Sequence, residues 1–231
     1  MLGIISAILI SCLEEDFSYS ETYAQPETIL NKNANKNTPE NPLNPYDSAG
    51  IFHNIYLTEY LDLNFTPLNI QDVMNEVNLL TGLNSSQSID PTSSHSKIQK
   101  IQDILNNPTD EFDNELAQAP LSSAAKDSIA SLTDYVNHND HEEFSVLKSY
   151  IEDFEENILS HSGLTEYEKS VVLSYSSVIR HSLYYKKRKR RDDRDWEINV
   201  TNRSGAFMGA LESPLAAAHW AIVLTACDMH F

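Results

Sequence analysis

Phe144-Ser145-Val146-Leu147-Lys148-Ser149-Tyr150-Ile151-Glu152-Asp153-Phe154-Glu155-Glu156-Asn157-Ile158 is the stretch on which the fold turns. Phe144, Leu147, Ile151, Phe154 and Ile158 recur at alternating steps of three and four, the spacing of one helical face packed as a bundle seam. Glu142, Glu143, Glu152, Asp153, Glu155 and Glu156 then fall on the outer face, with Asp140 placed to cap the first turn.

Similar segments lie on both sides. Asn44-Pro45-Tyr46-Asp47 reads as a helix start, with Asn as cap and Pro in the first turn, leading to a face of Ala49, Phe52, His53, Tyr56, Leu57 and Tyr60. Asn69 opens a second helix carrying Ile70, Val73, Met74, Val77 and Leu80, and Gly82 stands where a left-handed C-terminal cap is wanted. Ile98, Ile101 and Leu105 form a third stripe, ended by Asn106-Asn107-Pro108, and a short helix follows around Phe112 and Leu116. Ser122 caps a helix with Ala125, Ile129, Leu132 and Val136. Thr165-Glu166-Tyr167-Glu168 is a capping box opening a helix through Val171, Val172, Tyr175, Val178, Ile179 and Leu183. No period-two alternation bounded by turn dipeptides occurs. The expectation is an all-α protein, an irregular bundle of five to seven amphipathic helices over residues 44–185 behind a disordered tether at 13–43.

Charge sets further bounds. The 231 residues carry 34 acids and 16 bases, a net charge of −18 that argues against nucleic acid as partner. Residues 1–185 hold 28 acids and eight bases, whereas 186–231 hold six acids and eight bases. With 6 Gly and no Gly-rich loop ahead of Lys and Ser or Thr, a phosphate-cradling loop is excluded. The two cysteines, Cys12 and Cys227, form neither a disulfide framework nor a Cys-x-x-Cys pair. His138-Asn139-Asp140-His141-Glu142-Glu143 offers metal-type donors but lies at a helix junction, where Asn and Asp serve as caps and turns. Neither a metal nor a cofactor is expected. No Gly-x-Ser-x-Gly elbow or convergent nucleophile and base is present, so a non-enzymatic role is expected.

Met1 to Ser11 is uncharged and apolar, too short to span a bilayer, and reads as the core of an export signal. Leu9-Ile10-Ser11-Cys12 resembles the lipobox of bacterial lipoproteins, and Glu14-Glu15-Asp16 resembles the export signal of surface-exposed Bacteroidota lipoproteins. Asn44 to Asn54 and the Thr165–Tyr185 segment also look like parts of uncharacterised lipoproteins of that group. The resemblance implies lipidation at Cys12, a signal over 1–12 and display at the outer membrane surface.

Lys186-Lys187-Arg188-Lys189-Arg190-Arg191 opens a basic segment over 186–203, read as a contact for a membrane or other anionic surface. A nucleic-acid patch and a protease-sensitive site are the competing readings. The tail at 204–231 spaces Gly205, Gly209, Ser213 and Ala217 at four residues, as in close-packed membrane helices. Two readings stand for it, a buried helix closing the bundle or a membrane-associated segment. Together these features point to a lipid-anchored surface protein with a binding role, with a partner on the acidic bundle. The alternative is a secreted membrane-active or toxin-like protein using the basic run and the tail.

Overall fold

A computed structural model describes residues 38–83, 94–189 and 200–231. Cys12, the export signal, most of the tether, Arg190 and Arg191 lie outside the described residues. Within them the chain is all-helical, with nine helices and no strand. They are α1 (Ser48–Asp62), α2 (Ile70–Thr81), α3 (Ser94–Asn106), α4 (Pro108–Gln118), α5 (Ser123–His138), α6 (Phe144–Ser160), α7 (Glu166–Lys189), α8 (Val200–Ala210) and α9 (Pro214–His230).

Local chemistry explains most boundaries. Asn69 accepts the amide of Asp72 at 3.0 Å, and Gly82 ends α2 in the left-handed region at φ 66°. Ser122 accepts the Ala125 amide at 3.4 Å. The capping box closes with Thr165 N donating to Glu168 Oε2 at 2.9 Å and Glu168 N to Thr165 Oγ1 at 3.2 Å. Ser213, one of the small residues of the tail, caps α9 by accepting the Ala216 amide at 3.1 Å.

Three expectations change. Asn44 is not a cap, because α1 begins at Ser48 and Asn44 turns inward to bind α6 and α7. Asp140 does not cap α6, which starts after Glu143; its carboxylate instead receives Lys186 Nζ at 3.0 Å. On α6 the core position after Ile151 belongs to Glu155, fully buried, while Phe154 is only partly buried. The outer face therefore loses one acid and the core gains a charge.

α7 is not amphipathic, since every residue from Val171 to Leu183 is buried. A helix enclosed all round is a central helix, and α1, α5, α6, α8 and α9 all pack on it. One apolar cluster joins α4, α5, α6, α7 and α8 around Phe112, Ile129, Leu147, Tyr175 and Phe207. A second joins α1, α2, α3 and α9 around Tyr60, Met74, Ile101 and Val223. α9 serves both, giving Ala217 and Ala221 to the first and Trp220, Ile222 and Leu224 to the second. Of the two readings of residues 204–231, the structure has the buried helix: α8 and α9 pack tightly together inside the unit that runs from Lys32 to Phe231. Among the described residues, no helix is long and apolar enough to cross a membrane.

Candidate functional site

A cluster of opposite charges lies buried inside the bundle. Residues 41–47, just ahead of α1, form a strap laid over α6 and α7. Its shape comes from short-range hydrogen bonds: Asn41 Oδ1 accepts the Leu43 amide at 3.1 Å and Asn44 Oδ1 accepts the Tyr46 amide at 2.9 Å. Those bonds leave both side-chain amides free to donate inward. Asn41 Nδ2 reaches Glu155 Oε2 at 2.6 Å; Asn44 Nδ2 reaches Glu155 Oε1 at 2.9 Å and the Leu173 carbonyl at 3.0 Å.

Arg180 on α7 sits between two carboxylates. Its Nη2 lies 2.6 Å from Asp47 Oδ1 and 3.1 Å from Glu155 Oε1, with Arg180 and Glu155 both fully buried. One guanidinium cannot neutralise two carboxylates, and uncharged donors make up the difference. Ser176 Oγ donates to Glu155 at 2.8 Å, Ser177 Oγ to Asp47 Oδ1 at 3.0 Å, and the Asn41 amide to Asp47 Oδ2 at 3.0 Å. Burial works to raise the Asp47 carboxyl, but His181 and Arg180 together outweigh it and hold it well below the usual carboxylate range.

His181 Nε2 stands 3.3 Å from Asp47 Oδ1, at ion-pair distance but outside hydrogen-bond alignment. Burial lowers its pKa against the opposing pull of Asp47. Gly50 makes this approach possible, since a methyl group there would overlap the His181 ring and the Ser177 carbonyl. Arg180 Nε and Nη1 have no hydrogen-bond partner among the described residues.

A second buried polar group adjoins the first. Asn202 Nδ2 donates to His53 Nε2 at 3.1 Å and to Thr225 Oγ1 at 2.8 Å, linking α8 to α1 and α9. With Nε2 accepting, the proton of His53 sits on Nδ1 and is given to Asn54 Oδ1 at 3.1 Å. Burial pushes this imidazole down to about 4.

Chemically the cluster is a lock. Each hydroxyl proton is committed to a carboxylate or carbonyl, and Arg180 and Glu155 are closed to solvent. What it holds is the strap, pinned to α6 and α7 by side chains more than a hundred residues away in sequence.

The basic run is divided in its placement. Lys186 is buried and pairs with Asp140, and Lys187 Nζ donates to the Asp140 carbonyl at 2.6 Å. Arg188 and Lys189 continue on α7. At the histidine-rich junction, His138 Nδ1 lies 2.7 Å from the Asp134 carbonyl and Asn139 Nδ2 donates to the Tyr135 carbonyl at 2.8 Å, helix-end contacts both. No group of three metal-ligating side chains occurs among the described residues. Cys227 is buried, and burial pushes its thiol up to about 12.

An open cleft of about 350 Å³ lies on the surface between α3, α4, α8 and α9, lined by Lys97, Lys100, Glu115, Met208, Leu211, Glu212 and Trp220. Lys100 there pairs with Glu111 at 2.6 Å and Glu115 at 2.5 Å, and Lys97 stands over the Trp220 ring at 5.7 Å.

Periodicity places Glu155 on the outer face and gives no role to Asn41 or Arg180, whereas all three meet in the buried cluster. Arg180 carried a usable signal: it is the only charged residue between Lys169 and Lys186, in a stretch otherwise apolar or hydroxylated. A lone cation in such a helix calls for a buried carboxylate. Comparison with known proteins returns no match among protein-family models, curated proteins or solved structures.

Proposed function

We propose that the chain is a lipid-anchored helical protein of the bacterial outer membrane surface, whose acidic body binds a partner and performs no chemistry on it. The observation that carries the binding role is the division of charge: the strongly perturbed groups Asp47, His53, Arg180 and His181 are enclosed in the core, whereas acids such as Glu59, Asp62, Asp127, Asp153 and Glu156 face outward. Anchoring is supported by Leu9-Ile10-Ser11-Cys12 and by the acidic and Asn-Pro-rich segment after it. A diacylglyceryl thioether with an amide-linked chain at Cys12 buries many methylenes, each contributing about 0.8 kcal/mol to membrane residence. Some 30 linker residues reach roughly 30 Å as a flexible coil, enough to hold the body clear of the membrane. In this reading the strap at 41–47 is where the tether meets the body, and the Glu155 and Arg180 lock keeps it seated. In the same reading the basic run from Lys186 to Arg191 serves contact with anionic lipid, and within it Lys186 and Lys187 also hold Asp140.

The test is fractionation of cells expressing the wild type and Cys12→Ser, with mass spectrometry of the mature N-terminus. Wild type is expected in the membrane fraction beginning at a modified Cys12, and the variant in the aqueous fraction. An unmodified thiol, or equal partition of the two proteins, overturns the anchored reading.

A further inference from the structure

Positive charge is missing from one part of the body. Residues 37–96 contain no Lys or Arg, and neither do residues 204–231, so α1, α2, the connection between them and α9 carry none. These three helices meet around Tyr60 in the second apolar cluster, whose fourth helix, α3, carries Lys97 and Lys100.

Where the C-terminal ends of α1 and α9 meet, large apolar side chains are left in solvent. Leu63 is 47% exposed, Leu68 86%, Met229 45% and Phe231 58%. Ring contacts bring the two helix ends together: Tyr60 lies 6.3 Å from Phe65 and 6.3 Å from His230, with Leu63 and Leu68 two and three residues from Phe65 in the chain and Met229 and Phe231 on either side of His230. Single exposed apolar residues are ordinary, but several gathered at one end mark an interaction surface. Glu59, Asp62, Asp72, Glu76 and Asp228 lie on the same three helices, and Glu76 acts electrostatically on the Tyr60 hydroxyl. The patch stands one α1 length, roughly 22 Å, from the strap where the tether enters. An anionic membrane would be repelled by its acids.

We infer that this end of the body docks a Lys- and Arg-rich amphipathic helix of a partner protein. The partner's apolar side chains cover Leu63, Leu68, Met229 and Phe231, and its cations meet the surrounding carboxylates. The inference deepens the binding role proposed above and is independent of the anchor. A failure here leaves the Cys12 partition result untouched, and the reverse holds as well.

The experiment uses the full chain, produced in the cytosol so that Cys12 stays unmodified, and a fluorescent amphipathic helical peptide built only of Leu and Lys. Anisotropy titration is expected to show saturable binding. The triple variant Leu63→Ser, Leu68→Ser, Phe231→Ser should weaken it roughly tenfold or more with little change in melting, since these side chains are exposed. Glu59→Gln, Asp62→Gln, Glu76→Gln should weaken it similarly. Asp127→Asn, Asp153→Asn, Glu156→Gln, which removes as much charge from α5 and α6, should leave it unchanged. Equal losses from the two charge variants with no loss from the apolar variant reduce the binding to bulk attraction and overturn the inference. So does a homodimer in sedimentation that the apolar triple variant abolishes while peptide binding is absent, because the patch is then a self-interface.

Discussion

Glu155 shows how one side chain can reverse the role its sequence context suggests. It accepts from Asn41, Asn44, Ser176 and Arg180 and has no solvent contact. Glu155→Ala would leave the Arg180 guanidinium buried with Asp47 as its remaining close carboxylate and release both asparagines of the strap. Removing one partner of a buried pair typically costs about 3–5 kcal/mol. The expected outcome is a fall of that size in urea-melt stability, against a change within about 0.5 kcal/mol for exposed Glu156→Ala. Equal stabilities for the two variants would show that the lock does not hold the strap. The choice between Phe154 and Glu155 was invisible in the sequence because both continue the stripe, at steps of three and four from Ile151. Hydrophobicity favours Phe154. The presence of Arg180 on the facing helix reverses that preference, and the facing helix is a tertiary fact.

At the scale of elements, a helix whose apolar residues lie on one stripe shows in its sequence which face it buries, whereas a fully enclosed helix such as α7 shows its start and its helical character but not its enclosure. α2 and α5 form with the N-caps their sequence predicts and bury the predicted stripes except at Leu80, which is partly buried while Thr81 takes the enclosed position. α7 and α9 are buried on all sides, so amphipathic periodicity has little contrast to detect. The small-residue spacing of the tail marks a close-packing device without specifying what it packs against. The answer is α9 itself: a methyl group at Gly205 would overlap the Trp220 carbonyl, and one at Gly209 the Ala216 carbonyl. Gly209→Ala gains about 1 kcal/mol of helix propensity but forces apart two backbones, and overpacking of this kind costs typically 1–3 kcal/mol. A lower melting temperature is expected for Gly209→Ala, while Gly163→Ala, whose nearest neighbour is an exposed His161 side chain, should change it little. A Gly209→Ala protein that melts higher than wild type would mean that α8 and α9 are less closely apposed than described.

For the molecule as a whole, the sum of buried titratable groups sets the response to acid. Burial pushes His53 and His219 down to about 4 from 6.5, and lowers His181 as well. Between those values the unfolded chain binds protons that the folded chain refuses, so stability falls as pH drops from 6.5 to 4, by on the order of 3 kcal/mol for a fully buried imidazole. The carboxylates extend the loss. Hydrogen bonds from Ser122 and then from Thr165 bring Glu168 down to about 2, and Asp47 lies low as well. Their stabilisation is present above the ordinary carboxylate range and disappears as pH falls through the lower folded values. Urea midpoints measured from pH 7 to 2 are therefore expected to fall in two stages. His53→Gln with His219→Gln should flatten the first stage and leave the second. A profile without slope between 6.5 and 4 would mean that these rings are not buried in neutral form.

The sequence by itself determined the helical class, several caps and stripes, and the anionic balance, because each depends on residues within a turn or two of one another or on a simple sum of charges. It also carried the lipobox resemblance at Cys12. Tertiary structure alone decided that α7 is central, that α8 and α9 close the core, that Lys186 serves Asp140, and that a strap of asparagines is held by Glu155 and Arg180. Those outcomes depend on which surfaces meet across long separations in the chain. Desolvation makes a buried charge prohibitive without a partner and acceptable with one, and the partner is specified by packing.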